Sequence, residues 1–213
     1  DLSNFYVDDI KLALPGSIQT DIPALKDVYQ DYFEIGAAVE PKHLSGVHKE
    51  LLDYHYNSLV AENVMKPESL SPSEGTYNFT NADLIRDYAR DHGMNLRFHT
   101  LLWHQQGAEW MLKDDQGHYL EATPENKVLV LQRLEAYIHE VVGRYKGDAR
   151  DWDVVNEVID EGRPDGMRDS QWYRITGLDY IRTAFHAARD AAGPEAKLYI
   201  NDYSTHNPKK RDY

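Results

Sequence analysis

The sequence predicts an α/β fold built on a parallel sheet with crossover helices. Three observations carry that prediction. Five short apolar runs alternate with segments of helical period. Polar side chains gather directly after those runs, at Glu62-Asn63, His99 to Gln106, Asn156-Glu157 and Asn201 to Tyr203. No glycine-rich phosphate loop follows the first of them, which disfavours a nucleotide-binding doubly wound sheet. Function gathered at the C-terminal ends of parallel strands is the pattern of a (β/α)8 TIM barrel, incomplete in this chain, with about five β/α units present.

Residues 4–12 (NFYVDDIKL) read as a strand with polar interruptions, and the Pro/Gly-containing stretch 13–21 as a linker. Ile22–Phe33 is a short helical run, and Glu34–Val39 a short apolar strand. Leu44–Tyr56 carries Leu44, Val47, Leu51 and Tyr54 at helical spacing. Ser58–Val64 is a strand ending in polar residues. Thr80 caps a helix whose inner face is Leu84, Ile85, Tyr88 and Ala89, and Gly93 stops it. Asn95–Trp103 is the third strand. Thr123 and Pro124 open the longest helix, with Val128, Leu131, Leu134, Ile138, Val141 and Tyr145 on one stripe. Asp151–Asn156 is the fourth strand, Leu178–Ala192 a helix stopped by Gly193-Pro194, and Lys197–Asp202 the fifth strand.

Composition narrows the function classes. The 213 residues include 23 basic and 36 acidic side chains, a formal charge of −13, which repels phosphate backbones and anionic membranes. Neither nucleic acid nor membrane is an expected partner. Cysteine is absent, which excludes thiol nucleophiles, disulfides and Cys-ligated metals. No apolar run approaches the roughly 18 residues of a membrane span. Fifteen tyrosines and four tryptophans serve either packing or platforms for sugar rings.

Asn156-Glu157 is the most informative pair. A carboxylic acid presented from the end of a buried strand can protonate a glycosidic leaving oxygen when its surroundings favour the protonated form. The same pair also fits a loop-start carboxylate in a salt bridge. Glu62, Asn63 and Lys66 can grip vicinal sugar hydroxyls by charge-assisted hydrogen bonds, or form a solvated charge cluster. His99, Trp103, His104 and Gln106 combine an apolar ring with hydrogen-bonding groups, which suits carbohydrate. A metal is the rival reading, but neither HExxH nor a strand HxH pair occurs, so no metal or other cofactor is expected. Tyr203 offers a hydroxyl, or packing alone.

Together these strings resemble glycoside hydrolase family 10, the endo-β-1,4-xylanases. The resemblance rests on Glu62-Asn63-x-Met65-Lys66, His99-Thr100-Leu101-Leu102-Trp103-His104-x-Gln106, Trp152-Asp153-Val154-Val155-Asn156-Glu157 and Asn201-Asp202-Tyr203, in the family's order, and covers residue 22 onward. It implies retaining hydrolysis of internal β-1,4 bonds in xylan and xylooligosaccharides, with Glu157 as acid/base. Asn156 is implied to hold the 2-hydroxyl. Glu62, Asn63, Lys66, His99, Trp103 and Gln106 are implied as glycone-side contacts, Tyr203 as part of the wall, and His104 as a support behind it.

Phe5 to Ile10 resembles the last strand of a carbohydrate-binding β-sandwich module. The expected plan is therefore module strand 1–12, linker 13–21 and the N-terminal five-eighths of the catalytic domain 22–213, in a secreted, extracellular enzyme. The family's nucleophile is a second Glu on the seventh strand. No candidate for it is expected at a strand end here, and Asp160 and Glu161 are too near Glu157 in sequence to face it. The isolated chain is accordingly expected to be inactive, with a second polypeptide as one way of supplying the rest of the barrel. The competing functions are another retaining β-1,4-glycanase (a cellulase or mannanase), a non-catalytic glycan-binding fragment and a metal-dependent barrel hydrolase.

Overall fold

The computed structural model describes residues 17–212, so the expected strand at 1–12 and the first part of the linker lie outside the described residues. Five parallel strands, β1 (Gly36–Val39), β2 (Ser58–Ala61), β3 (Asn95–Trp103), β4 (Ala149–Asn156) and β5 (Lys197–Asn201), form one sheet in sequence order. The helices are α1 (Leu25–Val28), α2 (Gly46–His55), α3 (Pro67–Leu70), α4 (Thr80–Asp91), α5 (Pro124–Tyr145), α6 (Gln171–Thr176), α7 (Asp179–Ala192) and α8 (Pro208–Arg211). Parallel neighbours need crossover connections, and α2, α4, α5 and α7 supply them. The fold is that of a (β/α)8 barrel, represented by five of its strands.

Alternation along the strands divides the sheet into two unlike faces. Leu59, Leu96, Phe98, Trp152 and Val154 are buried in the core cluster with Ile85 and Ala89 of α4, Leu134, Ile138 and Tyr145 of α5, and Ala184 of α7. Phe98 stacks on Trp152 with ring centroids 5.0 Å apart and lies 5.4 Å from Tyr145. Trp152 therefore belongs to the helix-covered core, at 0% exposure, and its environment is not the open inner face. That inner face is polar. Asp153 accepts from Arg97 and lies 3.0 Å from His99 Nδ1, while Asp151 accepts from Asn95 (3.1 Å) and Tyr199 (3.1 Å).

Element ends follow local chemistry. Thr123 Oγ1 accepts from Asn126 N at 3.2 Å and Pro124 occupies the first turn, which starts α5 where the sequence places it. Gly93 adopts φ +64°, the left-handed conformation that ends α4 before β3. Several expectations need correction. Of Ile22–Phe33 only α1 is α-helical, and β2 stops at Ala61 because Glu62 to Met65 turn into α3. Phe79, not Thr80, occupies the cap of α4, and β5 ends at Asn201. Leu84 and Val128, 50% and 55% exposed, lie off the buried stripes of their helices.

Candidate active site

The site is assembled at the C-terminal ends of the strands. The β3–β4 register runs regularly from Arg97↔Asp151 to His99↔Asp153, after a first shift at Leu96, and shifts again before Leu102↔Val155. Beyond that irregularity Trp103 pairs with Asn156, and Asn156 with Asn201, so three strand ends meet at one level. Glu157 follows immediately. Its backbone N–H donates to Asn201 O (2.8 Å), and its φ of +55° is a left-handed conformation unusual for a side-chain-bearing residue. That geometry turns the chain sharply and leaves the carboxylate half-buried, where Trp103 Nε1 donates to Oε2 at 3.0 Å.

A second cluster joins through the Trp103 ring. Lys66 is buried, and its ammonium lies 4.9 Å from the ring centroid. It donates to Asn63 Oδ1 (3.0 Å) and Gln106 Oε1 (2.7 Å). Gln106 Nε2 donates back to Asn63 Oδ1 (3.2 Å) and to Glu68 Oε1 (3.1 Å). Asn63 Nδ2 donates to Glu40 Oε1 (2.9 Å). The loop closes tightly here: a Cβ on Gly107 would stand 2.9 Å from Trp103 O, so only glycine fits without a shift.

Arg168 binds the other side of the acid loop. Its guanidinium donates to Glu157 O (2.6 Å), Ile159 O (3.1 Å) and Tyr203 Oη (3.1 Å). Asn156 is buried, and its side-chain amide lies 2.8 Å from Asn201 Nδ2. His99 is fixed through Nδ1 by Asp153, which leaves Nε2 for another partner. His104 Nδ1 is buried without a hydrogen-bond partner. Burial, reinforced by the Arg168 charge, holds His104 below the usual histidine range despite Glu157 and Asp202 nearby.

The structure thus links Asn63, Lys66, Gln106, Trp103, Glu157, Asn156 and Tyr203 into one contiguous set of contacts. His99 joins the inner face through Asp153 instead. Glu62 is exposed, and its carboxylate makes no hydrogen bond or ion pair among the described residues. Sequence reasoning missed Glu40, Asp153 and Arg168. Asp153 had a signal, since it shares a strand face with Asp151. Arg168, eleven residues beyond Glu157, had none. Glu40 follows β1 directly, and its contacts are with Asn63 and the Pro41–Leu44 turn, not with Glu157. Among the described residues no group of three His, Asp or Glu side chains is arranged to hold a metal ion, and no helix is long and apolar enough to cross a membrane.

A parallel α/β sheet with its polar side chains collected at the C-terminal strand ends defines a protein of the (β/α)8-barrel class. Within that class the chain belongs to glycosyl hydrolase family 10, whose profile matches residues 24–213. It is 55% identical over 197 residues to endo-1,4-beta-xylanase A of Halalkalibacterium halodurans, covering 90% of this chain and 49% of that protein. It is 52% identical over 198 residues to the thermostable celloxylanase of Thermoclostridium stercorarium, covering 90% and 51%. The chain spans about half the length of these curated relatives. Its structure is similar to that of xylanase B from Clostridium stercorarium F9, with TM-score 0.87 and 53% identity, over 90% of this chain and 58% of that one.

Proposed function

We propose that this chain supplies the acid/base and glycone-side part of a retaining endo-1,4-β-xylanase. The observation that carries the reading is the Trp103–Glu157 hydrogen bond, set between the Lys66–Gln106–Asn63 cluster and the Arg168–Tyr203 contact. Glu157 gives its proton to the glycosidic oxygen and later takes one from the attacking water. Lys66, Asn63 and Gln106 bind glycone hydroxyls. Glu62 and His99 extend that surface, Asn156 meets the 2-hydroxyl, and Tyr203 forms the wall. The second carboxylate, about 5–5.5 Å from the first in a retaining pair, belongs by family resemblance to a seventh strand that is not among these five. We place the enzyme outside the cell, where a polymeric substrate is met.

The test is proton NMR of xylotetraose hydrolysis by the protein carrying all eight strands. The β-anomer appears first if the reading holds, and an α-anomer first would contradict retention. A second reading, action on cellulose as well as xylan, is favoured by the celloxylanase relative. Reducing-sugar release from xylan and from carboxymethyl cellulose separates the two.

A further inference from the structure

Lys210 is the most deeply buried cation among the described residues, and none of the catalytic roles above uses it. Its side chain is 0% exposed and its ammonium lies 2.6 Å from Asp202 Oδ1, itself on a side chain only 3% exposed. The same ammonium sits 3.4 Å from the centroid of the Tyr203 ring. Asp202 has two further tasks. Its Oδ2 accepts from Ile159 N (3.1 Å), two residues beyond Glu157, and its Oδ1 from Tyr203 N (2.9 Å). With the Glu157 N–Asn201 O bond, this ties the turn after β4 to the turn after β5 at two points.

Burying an ion pair is weak ground for stability, since apolar residues of similar volume often replace such a pair without loss. What the pair achieves here is geometric. We propose that Lys210 is a positioning residue: through Asp202, and by contact with the ring of Tyr203, it fixes both the turn that follows Glu157 and the aromatic wall opposite. This rests on the proposed xylanase reading. Without the ammonium, Asp202 has no cation within ion-pair distance among the described residues, only the more distant charge of Arg168, to hold it between the two turns. The Tyr203 ring, 51% exposed, also loses the cation beneath it.

Two variants separate positioning from plain support. Lys210→Met leaves the buried Asp202 without its ion-pair partner and serves as the destabilised reference. Asp202→Asn/Lys210→Met removes both charges, recovers most of the melting temperature, and keeps the experiment informative if the single variant does not fold. In the double variant of this chain, amide exchange at Ile159 and Tyr203 becomes at least about tenfold faster. In the eight-strand protein its kcat on xylotetraose falls about tenfold while KM stays within about twofold. Native-like exchange at both amides, or a kcat that recovers together with the melting temperature, overturns the proposal. The exchange measurement needs no turnover, so it judges the Lys210–Asp202 pair even if the xylanase reading itself fails.

Discussion

Lys66 is a buried ammonium whose hydrogen-bond partners are neutral amide oxygens, with no carboxylate in ion-pair reach among the described residues. A cation in that state is held by orientation and by the Trp103 face, and it keeps donor capacity for a ligand hydroxyl. A hydrogen bond to a charged group is worth about 1.5–3 kcal/mol. Lys66→Met should therefore raise KM for xylotriose about tenfold or more in the eight-strand protein, with a smaller change in kcat, as steady-state kinetics will show. An unchanged KM would make Lys66 a packing residue. The motif residues were legible because their types suit carbohydrate and recur after each strand. Glu40 and Arg168 were not, because their roles arise from contacts across 23 and 11 residues of sequence, and the role of Asp153, though the residue stands in a motif, arises across 54. Glu62 shows the converse: a strong motif position whose side chain has no partner among the described residues.

At the level of elements, β3 was read to the residue, since its apolar run and both flanks are unambiguous. The six-residue α6 was missed because it is too short to display a helical period; Ser170 Oγ, accepting from Tyr173 N at 3.2 Å, is what starts it. Leu84 and Val128 were misplaced because an apolar residue at helical spacing also occurs beside the stripe, and only packing decides which rows are covered. The pairing of β3 with β4 against α5 rests on Phe98. Phe98→Ala should cost about 3–5 kcal/mol, read by urea denaturation; a cost under about 1 kcal/mol would show that the pocket collapses around the smaller side chain.

The contact between α4 and α5 adds a pH dependence. Burial pushes Asp83 up, but hydrogen bonds from Arg144 and Tyr145 and the charge of Arg86 outweigh it and hold the carboxyl below its ordinary 3.8. A carboxylate depressed on folding contributes stability that is complete above the unfolded value and is lost as pH falls through the lower folded value. Asp83→Asn should lower the melting temperature at pH 7 by roughly 4–8 °C, for a loss of about 2 kcal/mol. It should also flatten the decline below pH ~4. An acid decline as steep as that of the native chain would assign it to other groups.

For the molecule as a whole, the sheet order leaves β1 and β5 as edges, and the inner face carries the Arg97–Asp153–His99 and Asn95–Asp151–Tyr199 clusters. A polar inner face whose Asp151 and Asp153 carboxylates are paired tolerates water, so the five strands keep a core on the helix side alone. Catalysis is a different demand, because a retaining pair needs its second carboxylate across the cleft. The chain alone should give no turnover of soluble xylan, and addition of a polypeptide carrying the remaining three strands should restore it. Turnover by the chain alone at the rate of the eight-strand protein would refute that division of labour.

Glu157 as the proton donor is the claim on which the account turns, and a leaving-group series in the eight-strand Glu157→Ala variant measures it most directly. Only substrates with poor leaving groups need the proton in the first step. The account predicts that turnover of xylotetraose collapses by several orders of magnitude, while the first-turnover burst of dinitrophenol from its aryl xylobioside proceeds near the native rate. Equal loss on both substrates would contradict it.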